Sequence, residues 1–103
     1  MDILDKELIL KFTGWEAFDP LNWNDIMNLL GKIEESQKNY SVWAEITPST
    51  TRISNEKRDS NGVRIRGEDG FFIPMEFIQK SNKERNKKKH IVEACVEYLK
   101  SKI

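Results

Sequence analysis

The stretch from Ile91 to Ile103 is the feature that most constrains how this chain folds. Ile91, Ala94, Cys95, Tyr98 and Leu99 recur at helical spacing and make one apolar face. Val92, Val96 and Ile103 widen that face, so the helix is expected to be well buried. The remaining residues have to supply elements that cover it.

A dense basic run leads into this helix. Lys80, Lys83, Arg85, Lys87, Lys88 and Lys89 are six cations within ten residues, opposed only by Glu84. Ser81 with Glu84 fits a capping box, which starts the helix at about Asn82. Residues 83–89 have no apolar periodicity, which gives an alternative start near Lys88.

Earlier elements follow from pattern. Leu8, Leu10 and Phe12 alternate with Ile9 and Lys11, which predicts a short strand from about Glu7 to Thr13, ended by Gly14. After a connector, Asn22 is an N-cap and Asp25 sits in the first turn of a helix from Trp23 to about Ser36. Trp23, Ile26, Met27, Leu30 and Ile33 form its apolar face, and Gly31 within it predicts close packing against a neighbour.

Tyr40 to Thr47 alternates strictly, as a half-buried strand does. Thr51 to Lys57 reads as a weaker strand, with Ile53 its only large apolar residue. Asn61-Gly62 predicts a tight hairpin turn, and Val63 to Arg66 returns from it with Val63 and Ile65 inward. Gly67 to Gly70 is a second turn. Phe71 to Phe77 is a final strand, which Pro74 places at a sheet edge or ends early.

The fold class is therefore α+β. The expected architecture is a small antiparallel sheet of 3–5 strands with two helices on one face, in the order β-α-β-β-β-β-α. Residues 1–103 are expected to form one domain. Ile26, Leu30, Ile33, Val42, Ala44, Ile46, Val63, Ile65, Ile91, Cys95 and Leu99 are the expected core.

Net charge is zero, but it is unevenly spread. Residues 1–45 hold four Lys/Arg and nine Asp/Glu, whereas residues 46–90 hold eleven and six, which suggests an acidic and a basic side. The single cysteine rules out an internal disulfide. No apolar run reaches membrane-spanning length, and the acidic start Met1-Asp-Ile-Leu-Asp5 is unlike a signal peptide. The expected location is the cytoplasm, away from membranes.

Chemistry of the catalytic kind has few footholds. One His and one Cys do not supply a zinc set, and His90 and Cys95, five apart on one helix, point to different sides. No glycine-rich phosphate loop opens a helix. The expectation is a non-enzyme without metal or cofactor. The basic run is the sharper feature. Its bland explanation is a solvated helix face, and its functional explanation is contact with phosphates of RNA or DNA. Arg64 and Arg66 extend that surface if their strand lies nearby. Trp43, on the polar face of its strand, is either an exposed interface anchor or covered by a helix. The candidate partner-binding residues are thus Lys80, Lys83, Arg85, Lys87, Lys88, Lys89, Arg64, Arg66 and Trp43.

Two stretches carry a resemblance. Leu21-Asn-Trp-Asn-Asp-Ile-Met-Asn-Leu-Leu-Gly-Lys-Ile-Glu34 and Ala94-Cys-Val-Glu-Tyr-Leu-Lys100 resemble small proteins encoded by phages and prophages of Bacteroidetes. The similarity covers about a quarter of the chain, mostly core positions. Tyr40 to Ile78 and the basic run depart from it. The resemblance implies an accessory phage or prophage protein and no catalytic residues. It implies, as the leading expectation, an anti-CRISPR-like inhibitor that binds a host effector, an RNA-guided nuclease or its guide complex. The alternatives are a small nucleic-acid-binding regulator and a phage structural or assembly component.

Overall fold

The computed structural model describes residues 1–36, 40–47, 50–57, 59–61, 63–81 and 86–101, with the backbone path alone for 40–43, 55–57 and 74–77. Its elements run α1 (Ile3–Thr13), α2 (Trp23–Glu34), β1 (Tyr40–Ile46), β2 (Thr50–Lys57), β3 (Pro74–Ser81) and α3 (Lys87–Ser101). The α+β class and the antiparallel sheet agree with the sequence. The order α-α-β-β-β-α corrects the expected one.

The first correction is α1, which replaces the strand expected over Glu7–Thr13. Its two ends explain it. The Asp2 side chain accepts the Leu4 N–H at 2.7 Å, and Gly14 takes φ 75° while its N–H reaches the Leu10 carbonyl. Between those caps, Leu8-Ile9-Leu10 is apolar at three consecutive positions and fits either period. As a helix it buries Ile9, leaves Leu8 and Leu10 half-buried against the core, and leaves Phe12 at the exposed margin.

The second helix begins where expected. Asn22 Oδ1 accepts the Asp25 N–H at 3.2 Å, and Asp25 Oδ2 in turn accepts the Asp19 N–H at 2.9 Å. Its buried face is Ile26, Leu29, Leu30 and Ile33, so Leu29 stands where Trp23 and Met27 were expected. The helix ends at Glu34 because the Ser36 hydroxyl and N–H both turn back to the Ile33 carbonyl. Gly31 is not a close-packing site, since a Cβ there would meet nothing within 4 Å.

The sheet has the order β1-β2-β3, antiparallel throughout. The strand with the weakest sequence signal, β2, lies in the middle. Thr51 and Ile53 are fully buried there, and Ile53 pairs with Ala44 on one side and Ile78 on the other. α2 packs on β1, α3 packs on β2 and β3, and α1 packs on α3. On the opposite sheet face Glu45, Arg52 and Gln79 are exposed.

Residues 63–66 are not a ladder strand. They belong to an excursion between β2 and β3, held by the Asp59 carboxylate accepting the N–H groups of Asn61 and Val63. A bridge from Arg66 to Phe72 and a turn ending at Gly70 (φ 82°) fold the excursion on itself. Val63 is therefore exposed and Ile65 half-buried, and both drop out of the expected core. Ile46 drops out too, at the exposed end of β1. Gly62 of the expected hairpin turn and the Val42 side chain lie outside the described residues. Pro74 opens β3 at the sheet edge rather than ending it.

The third helix starts at Lys87, close to the alternative near Lys88. Ser81 is the last residue of β3, so it does not cap α3, while Glu84 lies outside the described residues. Asn86 does that work. Its Oδ1 accepts the Lys89 N–H at 3.1 Å and its carbonyl accepts the His90 N–H. His90, Ile91, Val92, Ala94, Cys95, Val96, Tyr98 and Leu99 are buried, as the wide apolar face required. No described helix is long and apolar enough to cross a membrane.

Candidate interaction surface

Three lysines, Lys87 to Lys89, occupy the first turn of α3, and no acidic residue does. The N-terminal end of a helix carries partial positive charge and favours anions, so cations here are unfavourably placed, by an amount that solvent screening keeps small at exposed positions. Packing of the helix face behind them holds the turn in place.

The three lysines are used differently. Lys88 is half-buried. Its Nζ donates to the Leu21 carbonyl at 2.7 Å and stands 5.4 Å from the Trp23 ring centroid. This contact draws the α1–α2 connector and the start of α2 against the basic turn. Lys87 and Lys89 are exposed. Leu21 and Trp23, which Lys88 touches, are 69 % and 44 % accessible, and Met27, one helical turn beyond Trp23 on α2, is 51 % accessible. The sequence pattern places Trp23 and Met27 on the apolar face of α2, which is expected to be covered, so it does not reveal this apolar patch beside the cations. Lys88 is the link, a contact across 67 positions that no local pattern reveals.

A groove of about 650 Å³ adjoins the same surface. Met1, Pro20, Leu21, Val92 and Val96 form its apolar lining, and Lys80, Lys89, Lys100, Asp2, Asp5, Glu93 and Glu97 its charged one. Much of that charge is already paired within the chain. Lys80 Nζ meets Glu97 at 2.8 Å, and Lys100 Nζ meets Asp5 at 3.1 Å. The hydrogen bond to Glu97 pushes the Lys80 ammonium above its usual range, against the smaller effect of burial. Lys80 is thus a tie between β3 and α3.

The other sequence candidates fall elsewhere. Lys83 and Arg85 lie outside the described residues, as does the side chain of Trp43, whose backbone sits in β1 with Ser54 as its Cα partner. Arg64 and Arg66 sit in the β2–β3 excursion, each with its guanidinium carbon 4.3 Å from the Phe72 ring centroid, and Arg66 also donates to the Gly70 carbonyl at 2.7 Å. The excursion leaves the sheet at Lys57, whereas His90 at the start of α3 meets Thr51 near the other end of β2. Strand rise puts these ends about 20 Å apart. Arg64 and Arg66 therefore do not extend the lysine surface.

His90 is buried in the first turn of α3, with Nδ1 hydrogen-bonded to Thr51 Oγ1. Its Nε2 has no hydrogen-bond partner among the described residues. Desolvation lowers its pKa, the Lys87 charge adds to that, and Glu93 partly opposes it. Burial pushes the Cys95 thiol up to about 12. Among the described residues no group of three or more His, Cys, Asp or Glu is arranged to hold a metal ion. No family model, curated protein or solved structure matches this chain.

Proposed function

We propose that the chain is a non-catalytic interaction protein that binds an anionic effector through the start of α3. The effector we name is an RNA-guided nuclease carrying its guide, in the bacterial cytoplasm, and the outcome is inhibition. One observation carries the reading: Lys87, Lys88 and Lys89 crowd a helix end that disfavours them, beside exposed Leu21, Trp23 and Met27. Phosphates at this turn would relieve repulsion among the lysines and release counterions. The apolar patch would meet a protein surface at the same time. A ribonucleoprotein offers both chemistries. The resemblance to phage and prophage accessory proteins directs the choice to a host-defence effector.

The experiment compares three purified targets: a guide-loaded nuclease, the same nuclease without guide, and free guide RNA. Two variants are used, Lys87→Gln/Lys89→Gln and Leu21→Ser/Met27→Ser. The guide-loaded nuclease is expected to bind tightest and both variants to weaken it, while only the lysine variant flattens the dependence on salt. Equal binding of free RNA, indifferent to Leu21 and Met27, would make the chain a nucleic-acid-binding regulator. Binding to none of the three would overturn the reading.

A further inference from the structure

The two edges of the sheet are unlike each other. β3 opens with Pro74, which has no N–H to offer, and its register with β2 skips Met75, a bulge that bends the edge. These are devices that blunt an edge against pairing. β1 has none of them. Its seven residues, Tyr-Ser-Val-Trp-Ala-Glu-Ile, contain no Pro, Gly or Lys, and its pairing with β2 is regular throughout.

The direction of each β1 peptide group follows from one bond. The Thr47 N–H donates to the Thr50 carbonyl, so Thr47 and Thr50 are a hydrogen-bonded pair. Antiparallel pairs alternate, and the register runs Ile46 with Thr51 back to Tyr40 with Lys57. Glu45, Trp43 and Ser41 therefore bond to β2. Tyr40, Val42, Ala44 and Ile46 direct their N–H and C=O groups outward, where no described strand lies.

We propose that this edge pairs with β1 of a second copy of the chain, antiparallel about a two-fold axis at Trp43, making a continuous six-stranded sheet. The strand is self-complementary in that register. Tyr40 falls opposite Ile46 of the other copy and Val42 opposite Ala44, so all four outward residues pair and about eight backbone hydrogen bonds form. The strand's one charge, Glu45, falls opposite Ser41 and not opposite itself. Shifting the axis by one residue in either direction leaves an outward residue unpaired. Because the β3 edge is blunted, pairing consumes the one open edge among the described strands and stops at a dimer.

Sedimentation equilibrium over a range of concentrations reads the association directly. The wild type is expected to reach twice the monomer mass. Val42→Pro removes an outward donor from each copy and leaves the β1–β2 ladder bonds in place. It should raise the dimer dissociation constant roughly tenfold or more, since two bonds are lost. Register is read by cross-linking. Trp43→Cys places two thiols at a close, non-hydrogen-bonded pair and should oxidise to a covalent dimer. Glu45→Cys should not, because the two thiols then lie about 13 Å apart along the strands. The native Cys95 is buried and does not compete. A wild type that stays monomeric throughout, or Glu45→Cys cross-linking as readily as Trp43→Cys, would overturn the proposal even if Val42→Pro fails to fold.

Discussion

The buried bond between Thr51 and His90 joins the central strand to the first turn of α3, and its removal tests the packing account most directly. Thr51→Val keeps shape but deletes the hydroxyl. His90 Nε2 already lacks a hydrogen-bond partner among the described residues, so the ring would then have neither nitrogen bonded. An orphaned buried polar group costs about 1–3 kcal/mol. For a domain of this size that lowers Tm by roughly 5–20 °C. His90→Met leaves the Thr51 hydroxyl as the orphan instead. Thr51→Val/His90→Met removes both ends and should be clearly less destabilised than the sum of the single changes. The same pair sets a pH dependence. His90 is the chain's one histidine, and desolvation lowers its folded-state pKa below the unfolded value near 6.5. The unfolded chain then binds the proton first. Stability is full above that value and falls as pH drops towards the folded pKa, by at most about 1.4 kcal/mol per pH unit. Urea unfolding from pH 7.5 to 5.5 measures this, and His90→Met should flatten the curve. Additive single changes, or an acid slope that survives His90→Met, would refute the reasoning.

Lys88→Gln should lower stability by about 0.5–1.5 kcal/mol in thermal unfolding, because it breaks the bond to Leu21, while Lys87→Gln/Lys89→Gln should leave Tm nearly unchanged. Cys95, with its thiol pushed up to about 12 and buried, should react with a thiol reagent at pH 8 only once denaturant is added; rapid labelling of the native protein would contradict its burial. Gly14→Ala forces a side chain into the left-handed region at the end of α1 and should cost about 1–2 kcal/mol, read by chemical denaturation.

The legible parts of the fold were those whose signals agree at several levels. α2 combined a cap, an acidic first turn and helical periodicity, and α3 had an apolar face too wide to be anything but buried. α1 was misread because Leu8-Ile9-Leu10 carries no period of its own, and the deciding residues, Asp2 and Gly14, act through backbone geometry at the ends. β2 looked marginal because a central strand's burial depends on both neighbours, and Thr51 is buried with a polar side chain satisfied by a residue 39 positions away. The site divided in the same way. Lys87 to Lys89 were visible as a charge run, but the apolar patch beside them was not. The separation of Arg64 and Arg66 from the lysines is a property of sheet topology, and residue types alone do not encode it.

The position of α3 in chain order has a consequence for how the molecule is made. It packs against α1, α2, β2 and β3, all of which leave the ribosome before it does. Until α3 emerges, α1 lacks its main packing partner, and α2 and the sheet lack the apolar cover that α3 gives them. At ordinary elongation rates of about 5–20 residues per second, that interval lasts several seconds. Folding is therefore a late, concerted event, and the unfinished chain is a substrate for chaperones and proteases throughout the wait.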